Sequence, residues 1–125
     1  MLESEKARGL AELKGVASAA LFLLPRIAAR EYVGSSSRLV LAEELRRLLE
    51  EARRGVSDPW HATARAKIIV AYFRDSLGLI EDALALAEMR KKPSEVDVEG
   101  VLELFRRMLR MAVGEDAARR RRLIA

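Results

Sequence analysis

The chain has 125 residues, the length of a single domain, which can bury roughly two thirds of its unfolded surface without disulfides or metal. Lys and Arg number 23 against 19 Asp and Glu, for a net charge of +4, and half the residues are hydrophobic, so the chain belongs with globular and not disordered proteins. No cysteine and one histidine, His61, exclude disulfide frameworks, thiolate nucleophiles and the usual structural zinc sites, so neither catalytic residues, metal ligands nor a cofactor are expected.

Helix formers run from Glu3 to about Val33, interrupted by Gly9, Gly15 and Pro25, and predict a long first helix that kinks or breaks just before the proline. Its second half, Val16 to Ile27, is apolar on nearly every face. It reads either as a central core helix or as an arm (within 1–33) buried against another protomer. The longest apolar run, Val16 to Leu24, is far short of the roughly 20 residues that cross a bilayer. Glu3, Glu5 and Glu12 neutralise what a secretory signal would keep basic, so an intracellular protein, in cytoplasm or virion, is expected.

Gly34-Ser35-Ser36-Ser37 reads as a loop whose last serines cap a second helix, Leu39 to Arg54, that stops at Gly55. Leu41, Ala42, Leu45, Leu48, Leu49 and Ala52 form its apolar stripe, while Glu43/Arg47 and Glu50/Arg54 pair at i,i+4 on the other face. Ser57-Asp58-Pro59 then signals the start of a third helix from Trp60 to about Lys92. Its apolar load predicts the element the others wrap, with a bend or split at Gly78, and His61 packs in its first turn beside Trp60. Pro93 and Ser94-x-x-Asp97 begin a fourth helix with a stripe of Val98, Val101, Leu102, Phe105, Met108, Leu109 and Ala112. Gly114 ends it, and residues 115–125 form a short basic tail helix. No strand alternation or internal repeat appears. The expectation is one all-α domain over 1–125, a compact antiparallel bundle of about five helices.

Enzymatic constellations are absent from this pattern. The only histidine has no Glu three residues before it, no Gly-rich phosphate loop precedes a helix, and the acidic doublets Glu43-Glu44, Glu50-Glu51 and Glu81-Asp82 are adjacent and diverge. The chain also lacks Asn and Gln and carries 18 Arg to 5 Lys, the bias of heat-adapted proteins, and its lack of amides turns any nucleic-acid contact towards phosphates and away from base identity. The six aromatic residues fall mostly in apolar stripes, so no base-stacking platform is expected.

Function therefore rests on charge. Of the four arginines 119–122, Glu115 and Asp116 answer Arg119 and Arg120, which leaves Arg121 and Arg122 without local partners. Arg26/Arg30 and Arg106/Arg110 are like charges at i,i+4 that an external anion would reconcile, and Lys91 and Lys92 complete a third basic knot. These eight residues are the expected nucleic-acid contacts. In size, helix content and charge the chain resembles the helical coat proteins of filamentous archaeal viruses, and is similar in kind to the small helical subunits of RNA-guided CRISPR effector complexes. The resemblance implies a self-associating, non-enzymatic protein that binds nucleic acid, duplex DNA first, through phosphate contacts without sequence preference. The competing expectation is a protein-interaction bundle that docks through its apolar N-terminal helix, its arginines serving solubility and ion pairing.

Overall fold

A computed structural model describes residues 3–124; Met1, Leu2 and Ala125, the outermost residues of the predicted arm and tail, lie outside the described residues. Among those described, the chain is all-helical: α1 (Glu3–Ala28), α2 (Ser35–Ser57), α3 (Ala64–Phe73), α4 (Leu77–Ala87) and α5 (Val98–Ile124), with 3-10 turns at Pro59–His61, Arg74–Ser76 and Pro93–Glu95. α3 and α4 follow each other through the turn Arg74–Ser76 and form one bent rod, so the described chain folds as four rods. The fifth, the separate tail helix, does not exist: α5 runs through Gly114 without interruption, because an exposed helical glycine costs only about 1 kcal/mol against alanine and the flanking residues outweigh it.

Proline and glycine mark breaks less well than expected throughout. α1 passes through Pro25 to Ala28 and ends one turn later. α2 begins at Ser35, with Gly34 at the cap position and no serine side chain capping it, and it continues past Gly55 to Ser57. Gly55 is buried because α3 crosses there. A Cβ at Gly55 would lie 3.3 Å from both Ala66 Cβ and Val70 Cγ2, and one at Gly9 of α1 would lie 3.3 Å from the Arg65 backbone nitrogen and Ile68 Cδ1. Two glycine notches, one on each neighbouring helix, thus let α3 seat closely.

Ser57-Asp58-Pro59 opens only the 3-10 turn; α3 itself starts at Ala64, where the Thr63 hydroxyl accepts the Ala66 N–H at 3.1 Å. The third rod bends at Arg74–Ser76 and not at Gly78. α5 starts at Val98, three residues after the turn set by Pro93, and Asp97 caps it by accepting the Gly100 N–H at 2.9 Å.

The core is contributed by Leu10, Leu13, Val16 and Leu24 of α1, Leu41, Leu45 and Leu48 of α2, Ile69 of α3, Ile80 and Leu86 of α4, and Val101, Leu104, Phe105 and Met108 of α5. The third rod packs on every other rod, α3 on α1 and α2 and α4 on α1, α2 and α5, but it shares the centre with α1, which packs on α2, α3, α4 and, most extensively, α5. The apolar second half of α1 is therefore core on one side. Elsewhere it keeps Phe22 60% exposed, and a groove of about 530 Å³ between α1 and α2 is lined by Gly15, Ala19, Leu23 and Val40.

Ion pairs tie the rods together. Arg46 and Arg53 of α2 hold Glu88 and Glu81 beside or in α4, Lys6 of α1 holds Glu115 of α5 at 3.4 Å, and the Tyr72 hydroxyl donates to Glu115 at 2.7 Å. Of the two pairs expected within α2, Glu43–Arg47 stands at 3.8 Å; Glu50–Arg54 does not form among the described residues. The one buried charge among the described residues is Arg65, 6% exposed, which donates from Nε to Glu51 at 2.6 Å and approaches Glu12 at 3.5 Å, joining α3 to α2 and α1.

Candidate polyanion-binding cleft

A basic concavity lies at the end of the bundle where α1 and α4 both stop. Each helix ends with its chain reversed by a residue in the left-handed region: Arg30 at φ 59° and Met89 at φ 58°, the only non-glycine residues with positive φ among those described. The backbone bonds are those of a Schellman ending. Glu31 N–H donates to Arg26 and Arg30 N–H to Ile27 at 2.9 and 3.1 Å, while Arg90 N–H donates to Ala85 and Met89 N–H to Leu86 at the same distances. Neither sequence position is glycine, so each ending costs on the order of 1–2 kcal/mol that the surrounding structure must offset.

Between these endings opens a cleft of about 670 Å³ with an apolar floor of Ile27, Val33, Leu86 and Pro93. Five cations, Arg30, Arg38, Arg90, Lys91 and Lys92, line it against two carboxylates, Glu31 and Glu95. Arg38 is fixed by donating to the Ala87 carbonyl at 2.8 Å, which places a cation on the negative end of α4. Arg90 pairs with Glu88 at 2.8 Å and Lys91 with Asp82 at 3.6 Å. Arg30 and Lys92 hold no carboxylate among the described residues. Glu88 is held below the usual carboxylate range, chiefly by its hydrogen bond from Arg46 and then by Arg90, so it stays charged and neutralises Arg46 and Arg90.

The eight expected contacts divide accordingly. Arg30, Lys91 and Lys92 converge on the cleft. Arg26 sits one turn earlier, its guanidinium 4.0 Å over the Phe22 ring and donating to the Phe22 carbonyl. The like-charge pairing of Arg26 with Arg30 does not arise, because Arg30 lies beyond the end of α1 in a left-handed conformation and leaves the helical face. Arg106 and Arg110 are corrected more firmly. Glu103 accepts both, at 3.4 and 3.1 Å, and Glu99 accepts Arg106 at 2.9 Å, so their repulsion is relieved within α5 and no outside anion is required. These two arginines together depress the Glu103 pKa, Arg110 contributing most.

Arg121 and Arg122 lie at the far end of the bundle. Arg122 approaches Glu3 of α1 at 3.9 Å, and Arg121 has no carboxylate among the described residues; Asp116, and not Glu115, takes both Arg119 and Arg120 at 3.1 Å. Since α1 has 26 residues, the two basic ends stand about 39 Å apart at 1.5 Å per residue.

Three features escape the sequence. Arg38 and Met89 carry no local signal of their roles. Tyr32, in the loop after α1, is 93% exposed and lines the cleft. The aromatic residues as a group were expected inside apolar stripes, yet Phe22, Tyr32, Trp60 and Tyr72 are exposed and only Phe73 and Phe105 are core. His61 likewise does not pack. It stands exposed beside an exposed Trp60, with Nδ1 2.8 Å from Asp58 Oδ2. Among the described residues no group of three or more His, Asp or Glu is placed to hold a metal ion, and no helix is long and apolar enough to cross a membrane. No family model, no curated protein and no solved structure matches the chain.

Proposed function

We propose that this is a non-enzymatic structural protein that binds nucleic acid without sequence preference, through phosphate contacts made by the cleft, by Arg26 beside it and by Arg121 at the far end of the bundle. The observation that carries this reading is the convergence of Arg30 and Lys92, both without a carboxylate, beside Arg38 on one concave surface. Phosphate oxygens supply what those cations lack, and each neutralised phosphate releases counterions. Arg26 and Arg121 extend the contact along and beyond the cleft.

Self-association is part of the proposal, supported by exposed Phe22, Leu39 and Val40, the last of which lines the groove between α1 and α2. A viral coat filament and a small subunit of an RNA-guided CRISPR complex are two settings for such a chain, and the ion pairs between rods favour a heat-adapted source. The test is fluorescence anisotropy with a labelled 30-base-pair duplex and a 30-base strand across a salt series. With about four phosphates neutralised, log K should fall with log salt at a slope of roughly −3 to −4. The double substitution Arg30→Glu with Lys92→Glu should weaken binding at least tenfold and flatten the slope. Light scattering of the chain with and without the duplex tests the competing reading, a protein-interaction bundle, which requires an unchanged mass and salt-independent behaviour.

A further inference from the structure

We propose that the cleft receives an unpaired nucleotide of a single strand, its base against Tyr32 and its flanking phosphates on Arg30, Arg38 and Lys92. This rests on the nucleic-acid reading above and sharpens it, since it selects the strand type.

Shape is the first reason. A duplex offers a convex phosphate surface with its bases stacked inside, whereas a concavity of about 670 Å³ falls within the range of sites that enclose small ligands. An unpaired nucleotide enters it; a paired one stays outside. The mixed lining is the second reason. Cations alone would suit any phosphate, but Ile27, Leu86 and Pro93 form an apolar floor that a bare phosphate does not use and a base does.

Tyr32 is the third. Its ring is 93% exposed, carries no hydrogen bond or ring partner among the described residues, and stands at the rim beside the cations. Every base has a π-face, so stacking on one aromatic ring adds affinity while preserving indifference to sequence. That indifference matches a chain without Asn or Gln to read base edges. Finally, the rim is preformed. The two left-handed non-glycine residues, Arg30 and Met89, both border this cleft, and strained backbone of that kind persists where a site is held ready for its ligand.

The test uses the full chain and two probes, a labelled 15-base oligothymidylate and a labelled hairpin duplex with the same number of phosphates, at one salt concentration. The strand should bind at least tenfold more tightly than the hairpin. Tyr32→Ala should cost about tenfold on the strand and less than twofold on the hairpin, while Tyr32→Phe should retain wild-type affinity for both. Tyr32 is almost wholly exposed, so the melting temperature of both variants should be unchanged, which keeps a folding failure out of the comparison. Tighter binding of the hairpin, an unaffected Tyr32→Ala on the strand, or equal binding of a poly-glutamate peptide of matched charge would each overturn the inference. If both probes bind with a salt slope and Lys92→Glu weakens them but Tyr32→Ala does not, the nucleic-acid reading stands and this one falls. Absence of binding to either probe removes both.

Discussion

Arg65 offers the sharpest test of how the rods are held. Its side chain is 7% exposed, and both its Nε and one terminal nitrogen bond Glu51, while Glu12 stands 3.5 Å away and is itself 45% exposed. Glu51→Ala would leave a buried guanidinium with one distant, solvated partner. Removing one member of a buried pair costs about 3–5 kcal/mol, and the residual contact with Glu12 places this case near the lower figure. Unfolding entropy of about 2.1 cal/mol/K per residue gives roughly 0.26 kcal/mol/K for 125 residues, so Tm should fall by about 11 °C. Glu12→Ala removes only an exposed contact and should cost less than about 1 kcal/mol. The decisive comparison is the apolar replacement Glu51→Leu with Arg65→Met, which should recover most of the loss because no charge remains to desolvate. Thermal melts by circular dichroism at pH 7 read all three. A Glu51→Ala shift below about 4 °C, or a double variant no better than the single, would refute the reasoning.

Gly114→Ala should raise stability by about 0.5–1 kcal/mol, since nothing lies within 4 Å of the added methyl, whereas Gly9→Ala should lower it, because the methyl meets the Arg65 backbone at 3.3 Å; paired urea titrations distinguish the two. Glu88, Glu103 and Glu115 are all held below the ordinary carboxylate value of 4.5, by Arg46, by Arg110 and by Tyr72 respectively. Their folded pKa values lie below the unfolded ones, so their contribution is fully present above about 4.5 and is lost as pH falls through the folded values. Tm should accordingly be flat from pH 7 to about 5 and decline below, and Glu88→Gln should lower the plateau while shallowing that decline. Met89→Gly should relieve the left-handed backbone and stabilise the fold by up to about 1 kcal/mol, read as a rise in the urea midpoint.

What the sequence made legible, and what it hid, follows from one distinction. Periodicity reports which side of a helix is buried, so the stripe Leu41 to Ala52 and the stripe Val101 to Ala112 are where the core lies. Boundaries depend on competition between a local preference and the packing of a whole rod. Pro25, Gly55 and Gly114 each disfavour helix by a bounded amount, and rods of 26, 23 and 27 residues outweigh them. Glycine at positions 9 and 55 answers instead to the approach of another helix, which no local pattern encodes. Charge was harder still. Counting carboxylates within one turn found Asp116 for Arg120, but it missed Glu99, seven residues from Arg106, and Glu3, on another helix from Arg122. The same blindness hid the cleft, whose cations come from three separated stretches of chain.

The arrangement of charge also narrows what kind of anion suits this protein. Carboxylates such as Glu88, Glu81 and Glu115 hold rods together through Arg46, Arg53 and Lys6, and cations without a carboxylate among the described residues stand at both ends of the bundle, Arg30 and Lys92 at one and Arg121 at the other, as well as along its sides. Those ends stand about 39 Å apart, several times the Debye length of about 8 Å at physiological salt, and neither feels the other's field. A small anion can therefore neutralise one end and gain nothing from the other. A polymer of phosphates that engages the cleft brings its own neighbouring charges towards Arg121 at high local concentration, and the second contact then costs little further freedom. Under this geometry a short oligonucleotide and a long one differ in affinity through reach alone, with no new contact type between them.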